Sequence, residues 1–93
     1  MSGAVVLPAR VEGRLLRRLK RELLAHLRED PVLVVDASGV QHLSEAGQAV
    51  LVTAHRAAGL RGGRLHLHQP SPEVVAALRA SGLRHLLEGT PAR

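Results

Sequence analysis

Ninety-three residues suffice for one small domain with a single core, but not for a second domain with its own active site. The absence of cysteine excludes a disulfide framework, a thiolate metal site and a cysteine nucleophile, and the absence of aromatic residues removes any platform for base stacking. The net charge of +5 nevertheless raises the question of nucleic acid as a partner.

The first third of the chain predicts a strand, a basic helix and a second strand. "AVVLPA" (4–9) is a short β-branched run that ends at a proline, which suits the edge of a sheet. In "GRLLRRLKRELLAHLRED" (13–30), leucines recur every three or four residues and arginines collect on the other side. "PVLVVDA" (31–37) has no polar alternation, so we expect a strand that is covered on both faces.

The rest of the chain predicts two further helices around a third strand. A loop (38–43) leads to a helix over 44–63, for which Ser44 should be the N-cap. In this helix Ala46 should face the core and Gln48 should be more exposed. "RLHLHQ" (64–69) alternates as a half-buried strand does. A helix over 70–82 should begin at Ser71 and Pro72, before a short turn (83–89) and a frayed tail from about residue 90.

Strands and helices therefore alternate three times with short connections. This order predicts a single α/β domain over residues 1–93, with a mostly parallel sheet and right-handed crossovers. The apolar stretch at the N-terminus is too short for a signal peptide or a membrane span. We expect a cytoplasmic protein without membrane insertion.

Several short signals follow one another between residues 32 and 83: a strand that ends in Asp36, a short loop, a helix that opens on "SEAG" (44–47), the Gly62–Gly63 pair, "PSP" (70–72) and "SGL" (81–83). In this order they resemble the STAS domain family, best known from bacterial anti-sigma-factor antagonists. The resemblance implies a mostly parallel or mixed sheet of four to five strands with helices largely on one face. It also implies a regulatory, non-enzymatic role without a cofactor.

In the antagonist branch, a kinase-type anti-sigma factor binds the start of this helix and phosphorylates the second serine of D-S-S-G. That tetrapeptide falls on Ser44, Glu45, Ala46 and Gly47, so only the glycine matches and the acceptor position has no hydroxyl. Ser44 keeps a hydroxyl, but we do not expect its phosphorylation. The resemblance implies a partner-binding surface that contains Asp36, Ser38, Ser44, Glu45, Ala46, Gly47 and Gln48. Two hypotheses follow for this surface. Either it binds its partner constitutively and cannot be switched off here, or Glu45 imitates the phosphorylated state and weakens the binding.

A second branch of the family, the small accessory subunits that bind the ATPase of lipid-transporting ABC systems, resembles D-T-A-G at this point. Ala46 suits that branch, although Glu45 stands where it has threonine. The predicted partner is thus a kinase-type anti-sigma factor or another nucleotide-binding protein. Neither the choice between the branches nor the oligomeric state follows from the sequence.

Three other functions have weaker support. His66 and His68 share a strand face, with His42 or His85 as further candidates, but no spacing matches a zinc signature, so we expect no metal. Asp36, Ser38 and His42 lack a nucleophile elbow, so we expect no enzyme. The arginine-rich first helix could bind nucleic acid or an acidic partner; without aromatic residues, nucleic acid is the remote alternative.

Overall fold

The computed structural model describes residues 4–88, which form five short strands and three helices. In chain order they are β1 (Val5–Val6), β2 (Arg10–Val11), α1 (Leu15–Leu27), β3 (Val32–Asp36), β4 (His42–Leu43), α2 (Glu45–Leu60), β5 (Arg64–His68), α3 (Pro72–Ala80) and a 3₁₀ turn (Arg84–Leu86). The predicted α/β class is confirmed. The predicted frayed tail lies outside the described residues.

All strand pairs are parallel, but the strands divide between two sheets. One sheet has the order β1-β3-β5, with β3 in the centre, and β2 pairs with β4 separately. The predicted first strand (4–9) is shorter in the structure, where it is β1, and β2 was not predicted; Leu7, Pro8 and Ala9 separate the two. The predicted loop over 38–43 is wrong at its end, because His42 and Leu43 form β4.

The larger sheet is covered on one face and open on the other. Along β3, Leu33 and Val35 are buried, whereas Val32 is 41% exposed and Val34 is half-buried. The expectation that both faces of this strand are covered is wrong. A run of valines without polar residues does not reveal which face is open, since valine suits a half-exposed pleated surface as well as a core.

The core is entirely aliphatic and lies between the sheets and the helices. α1 contributes Leu19, Leu23 and Leu27 to it, and α2 contributes Leu51, Ala54 and Ala58. α1 and α2 pack against each other and contact β3 and β5, respectively. The leucine spacing of the first helix therefore predicted its buried face correctly.

Local signals fix the ends of α2 and α3. Ser71 caps α3: its Oγ accepts a hydrogen bond from the Val74 N–H (3.3 Å) and donates one to the Val40 carbonyl (2.7 Å). Pro72 occupies the first turn, as predicted. Gly62 and Gly82 follow α2 and α3 with φ values of +78° and +72°, a backbone conformation that glycine adopts without strain.

Candidate partner-binding site

Ser44 fixes the start of α2 and ties it to β2. Its Oγ accepts a hydrogen bond from the Gly47 N–H (3.0 Å) and donates one to the Val11 carbonyl (3.1 Å). The Ser44 N–H donates to the same carbonyl at 3.1 Å. The predicted N-cap is confirmed, and the half-buried hydroxyl is occupied by two structural hydrogen bonds.

Gly47 lets α2 approach β2 closely. A Cβ atom at this position would lie 2.7 Å from the Val11 carbonyl oxygen and 3.0 Å from the Leu43 Cδ1 atom. Gly47 is buried as a result. The glycine of the tetrapeptide is thus explained by packing within the domain, whereas its part in partner binding stays a prediction.

Gln48 is buried, with only 6% of its surface exposed. The expectation that it lies on the exposed side of the helix is wrong, because Gln48 follows Gly47 on the side of α2 that contacts the core. An arginine at this position would place a charge in the domain interior, so its substitution cannot test binding separately from folding.

Glu45 and Ala46 form the exposed part of the first turn of α2. The expectation that Ala46 faces the core is wrong. The inward face of the helix is set instead by Gly47, Leu51, Ala54 and Ala58, which recur every three or four residues. The carboxylate of Glu45 lies at the positive end of the helix dipole, which stabilises it by about 0.3–1 kcal/mol.

Asp36 and Ser38 organise the loop that leads into β4. The Asp36 Oδ1 atom accepts hydrogen bonds from the Ser38 N–H (2.9 Å) and the Ser38 Oγ (2.7 Å). These bonds lower the pKa of Asp36, because they stabilise its carboxylate. Within residues 4–88, no hydrogen bond joins this pair to residues 44–48.

A charged cluster beside β2 and β4 was not anticipated. Glu12 contacts the Arg10 Nε atom at 2.6 Å and the His42 Nε2 atom at 3.2 Å. The hydrogen bond from Arg10 lowers the pKa of Glu12. The parallel pairing of β2 with β4 creates this cluster, and neither strand has a recognisable sequence period. The cluster lies next to the start of α2, because Ser44 follows β4 directly.

His55 is a titratable group in a partly buried environment on α2. Its Nδ1 atom is buried without a hydrogen-bond partner, and its ring centroid lies 5.6 Å from that of His85 in the 3₁₀ turn. Burial lowers the pKa of His55, and the charge of nearby His85 lowers it further. The folded domain therefore favours the neutral imidazole.

This environment predicts that the domain loses stability as it is acidified. Below the ordinary histidine pKa of about 6.5, the unfolded chain takes up a proton at His55 that the folded chain does not yet bind, so the free energy of unfolding falls until the lowered pKa of the folded state is passed. We expect His55→Leu to reduce this loss. Urea unfolding followed by circular dichroism at pH 7 and pH 5 measures it.

The companion variant His85→Leu separates the two causes. It removes the neighbouring charge but leaves His55 partly buried, so the loss of stability between pH 7 and pH 5 should shrink less than in His55→Leu. An equal pH dependence in His55→Leu and the wild type would contradict the assignment to His55. The pKa values of Asp36 and Glu12 are lowered from ordinary carboxyl values, so these groups titrate mainly below pH 5 and contribute little between pH 7 and pH 5.

Across residues 4–88, no group of three or more histidines, aspartates or glutamates is placed to hold a metal ion. His66 and His68 do lie near each other, with ring centroids 6.4 Å apart. Over the same residues, no helix combines the length and the apolar character needed to cross a membrane.

Comparison with known proteins supports the architecture. A search of curated proteins gave no match. A family model described as "Mlab, STAS domain" matches residues 2–88, which is nearly the whole chain. Members of this family generally have regulatory or protein-binding roles and no catalytic activity. With three helices, parallel strands and a capped α2 start, the chain belongs to the STAS domain family.

Proposed function

We propose that this domain binds a nucleotide-binding protein in the cytoplasm through the exposed start of α2, and that phosphorylation of this helix does not switch the binding off. The observation that supports this proposal most is that Ala46, at the phosphoacceptor position, is exposed and has no hydroxyl. Glu45 lies exposed beside it, and Ser38 is exposed on the loop before β4. These three residues are the accessible members of the sequence-predicted site.

Ser44 is a poor substitute acceptor. Its Oγ both accepts from Gly47 and donates to Val11, and a phosphate would remove the donor and add charge of about −1.5 to −2 beside the Val11 carbonyl. The first turn would lose its cap, which is typically worth about 1 kcal/mol. A kinase would therefore have to displace the start of α2 from β2 to reach this hydroxyl.

A kinase-type anti-sigma factor is the first candidate partner. The domain would then act as an antagonist that sequesters the anti-sigma factor in proportion to its own concentration. The Glu45 carboxylate supplies a single permanent negative charge, less than a phosphate carries, and its full exposure leaves it free to pair with a cationic group of the partner.

The ATPase of an ABC-type lipid transporter is the second candidate partner. Two observations favour it: Ala46 matches the alanine of that branch, and the matching family model is described by the name Mlab. In this role the domain would be a permanent accessory subunit and not a transcriptional regulator. Both candidates require a nucleotide-binding protein to contact the start of α2.

Binding assays with the purified full chain distinguish these candidates. The kinase-type anti-sigma factor and the transporter ATPase of the same organism are each titrated by calorimetry, and each mixture is then incubated with ATP for intact-mass measurement. We expect saturable binding to one of them and no added phosphate. A phosphate on Ser44 would contradict the unswitched role, and failure to bind either protein would contradict the choice of partner class.

A further inference from the structure

The outer face of α1 carries a row of arginines for which no ion pair is found within residues 4–88. Arg14, Arg17, Arg21 and Arg28, together called the arginine stripe, are exposed and spaced three, four and seven residues apart, so they share one side of the helix. Among residues 4–88, the only ion pairs involve Glu12, and none reaches the stripe. Over 14 residues it extends for about 21 Å.

An apolar groove runs beside the stripe, between α1 and the edge strand β1. It has a volume of about 330 Å³ and is lined by five apolar residues and two charged ones: Val6, Leu7, Pro8, Leu15, Leu19, Arg18 and Glu22. Val6 is 71% exposed, which is unusual for a valine in a strand. Because β1 is the edge of the sheet, no further strand from the described residues 4–88 covers this side. Arg18 and Glu22 also line the neighbouring cavity that contains Arg21, so the groove adjoins the stripe.

We propose that this surface binds an acidic polypeptide segment that places an aliphatic side chain in the groove and its carboxylates on the arginine stripe. A guanidinium binds a carboxylate through two parallel hydrogen bonds, so a row of arginines is well matched to a row of acidic side chains. Only a polypeptide offers carboxylates and alkyl groups at alternating positions of the same segment. Charge complementarity and the adjoining groove therefore select the same occupant.

The structure disfavours the two other anionic partners. A membrane-binding amphipathic helix turns its apolar side toward the lipid, whereas Leu19, Leu23 and Leu27 of α1 are buried in the core. Single-stranded nucleic acid is usually held by bases stacked on phenylalanine, tyrosine or tryptophan, and this chain has none of these residues. Nucleic acid would also supply no alkyl chain to fill the groove next to Val6.

This surface is distinct from the start of α2, although both begin at the same end of the domain. β2 pairs with β4, and α1 and α2 each follow one of these strands. The stripe then continues along α1 as far as Arg28, away from that end. An acidic segment bound here would leave Glu45 and Ala46 accessible, so the inference does not depend on the proposed function.

A fluorescein-labelled peptide rich in glutamate and containing leucine tests the proposal with the full-length protein. Fluorescence anisotropy at low salt should show saturable binding, which weakens as the salt concentration rises. The double variant Arg17→Glu/Arg21→Glu should weaken binding about tenfold or more, since each guanidinium–carboxylate pair is lost and replaced by repulsion. Both residues are exposed, and circular dichroism verifies that the variant is folded.

The matched control is Arg56→Glu/Arg79→Glu, which changes the net charge by the same amount at exposed positions of α2 and α3. It should retain peptide affinity within about twofold, because these two arginines lie outside the proposed binding surface and exposed charge pairs contribute little. The groove is tested by Val6→Ser together with a peptide whose leucines are replaced by serine. The wild type should prefer the leucine peptide, and Val6→Ser should reduce that preference.

Three results would overturn the proposal. The first is the absence of saturable peptide binding, and the second is an equal loss of affinity in the stripe variant and its charge-matched control. The third is that duplex DNA or phosphatidylglycerol vesicles bind more strongly than the peptide at equal salt, and that the stripe variant loses this binding. That result would assign the surface to a nucleic acid or a membrane.

Discussion

Replacing Gly63 with alanine should destabilise this domain by about 3 kcal/mol, the upper part of the range for overpacking a tightly packed site. Gly63 precedes β5 and lies against Pro31, which precedes β3. An added Cβ would overlap the carbonyl group of Pro31 and lie 2.7 Å from its Cβ atom. Two backbones and a proline ring cannot rotate aside as a flexible side chain can.

The consequence of Gly63→Ala extends into the central sheet. The Arg64 N–H donates a 3.0 Å hydrogen bond to the Pro31 carbonyl, and Val32 and Arg64 open the register of β3 with β5. Moving these two segments apart would break this first hydrogen bond between them. Thermal unfolding should show a midpoint lower by on the order of 15 °C for a domain of this size.

Gly59→Ala is the matched control for this prediction. Gly59 lies in α2, where an added Cβ would meet no atom within 4 Å. Alanine there should leave the domain unchanged or stabilise it by up to about 1 kcal/mol, because alanine favours the helix. Equal unfolding midpoints for Gly63→Ala and the wild type would show that the β3–β5 junction accommodates a side chain.

Glu45→Arg should abolish or strongly weaken partner binding, by about tenfold or more, as expected for charge reversal at the centre of an interface. Glu45 is exposed and makes no packing contact with the buried face of α2, so the substitution leaves the core intact. A positive charge at the helix start should cost about 0.3–1 kcal/mol of stability. Calorimetric titration with the identified partner measures the loss of affinity.

The domain supplies a close control in Glu73→Arg. Glu73 also lies exposed in the first turn of a serine-capped helix, so the cost to the helix dipole is similar. α3 lies outside the proposed site, and Glu73→Arg should bind the partner with unchanged affinity. If both variants bind as the wild type does, the start of α2 is not the interface, and the arginine stripe becomes the next surface to examine.

The parts of the fold that depend on neighbouring residues in the chain were predictable from the sequence. Ser44 and Ser71 satisfy N–H groups three residues ahead of them, and the leucines of α1 repeat with the helical period, so the short-range pattern carries the information. These signals located all three helices. They also identified the start of α2 as a capped helix end.

Features created by distant pairing were not predictable in the same way. β2 and β4 contain two residues each and exist because they pair with each other. Segments this short have no periodicity that could indicate a strand. The burial of Gln48 and the exposure of Ala46 follow from how α2 rotates when Gly47 settles against Val11. Polarity alone predicted a buried Ala46 and an exposed Gln48. It is a weak guide for Ala46, because the small side chain of alanine has little preference for either environment.

The close approach of Gly47 to β2 divides the "SEAG" tetrapeptide into halves under different constraints. Ser44 and Gly47 are held by the interior of the domain, through the Val11 carbonyl that both of them contact. Glu45 and Ala46 contact solvent. During evolution, the first and fourth positions of the motif (Ser44 and Gly47) would therefore be retained for folding even after a change of partner. The second and third positions (Glu45 and Ala46) could diverge at little cost to stability. An intact serine and glycine at this helix start would identify the architecture of a relative, and residues 45 and 46 would identify its binding specificity.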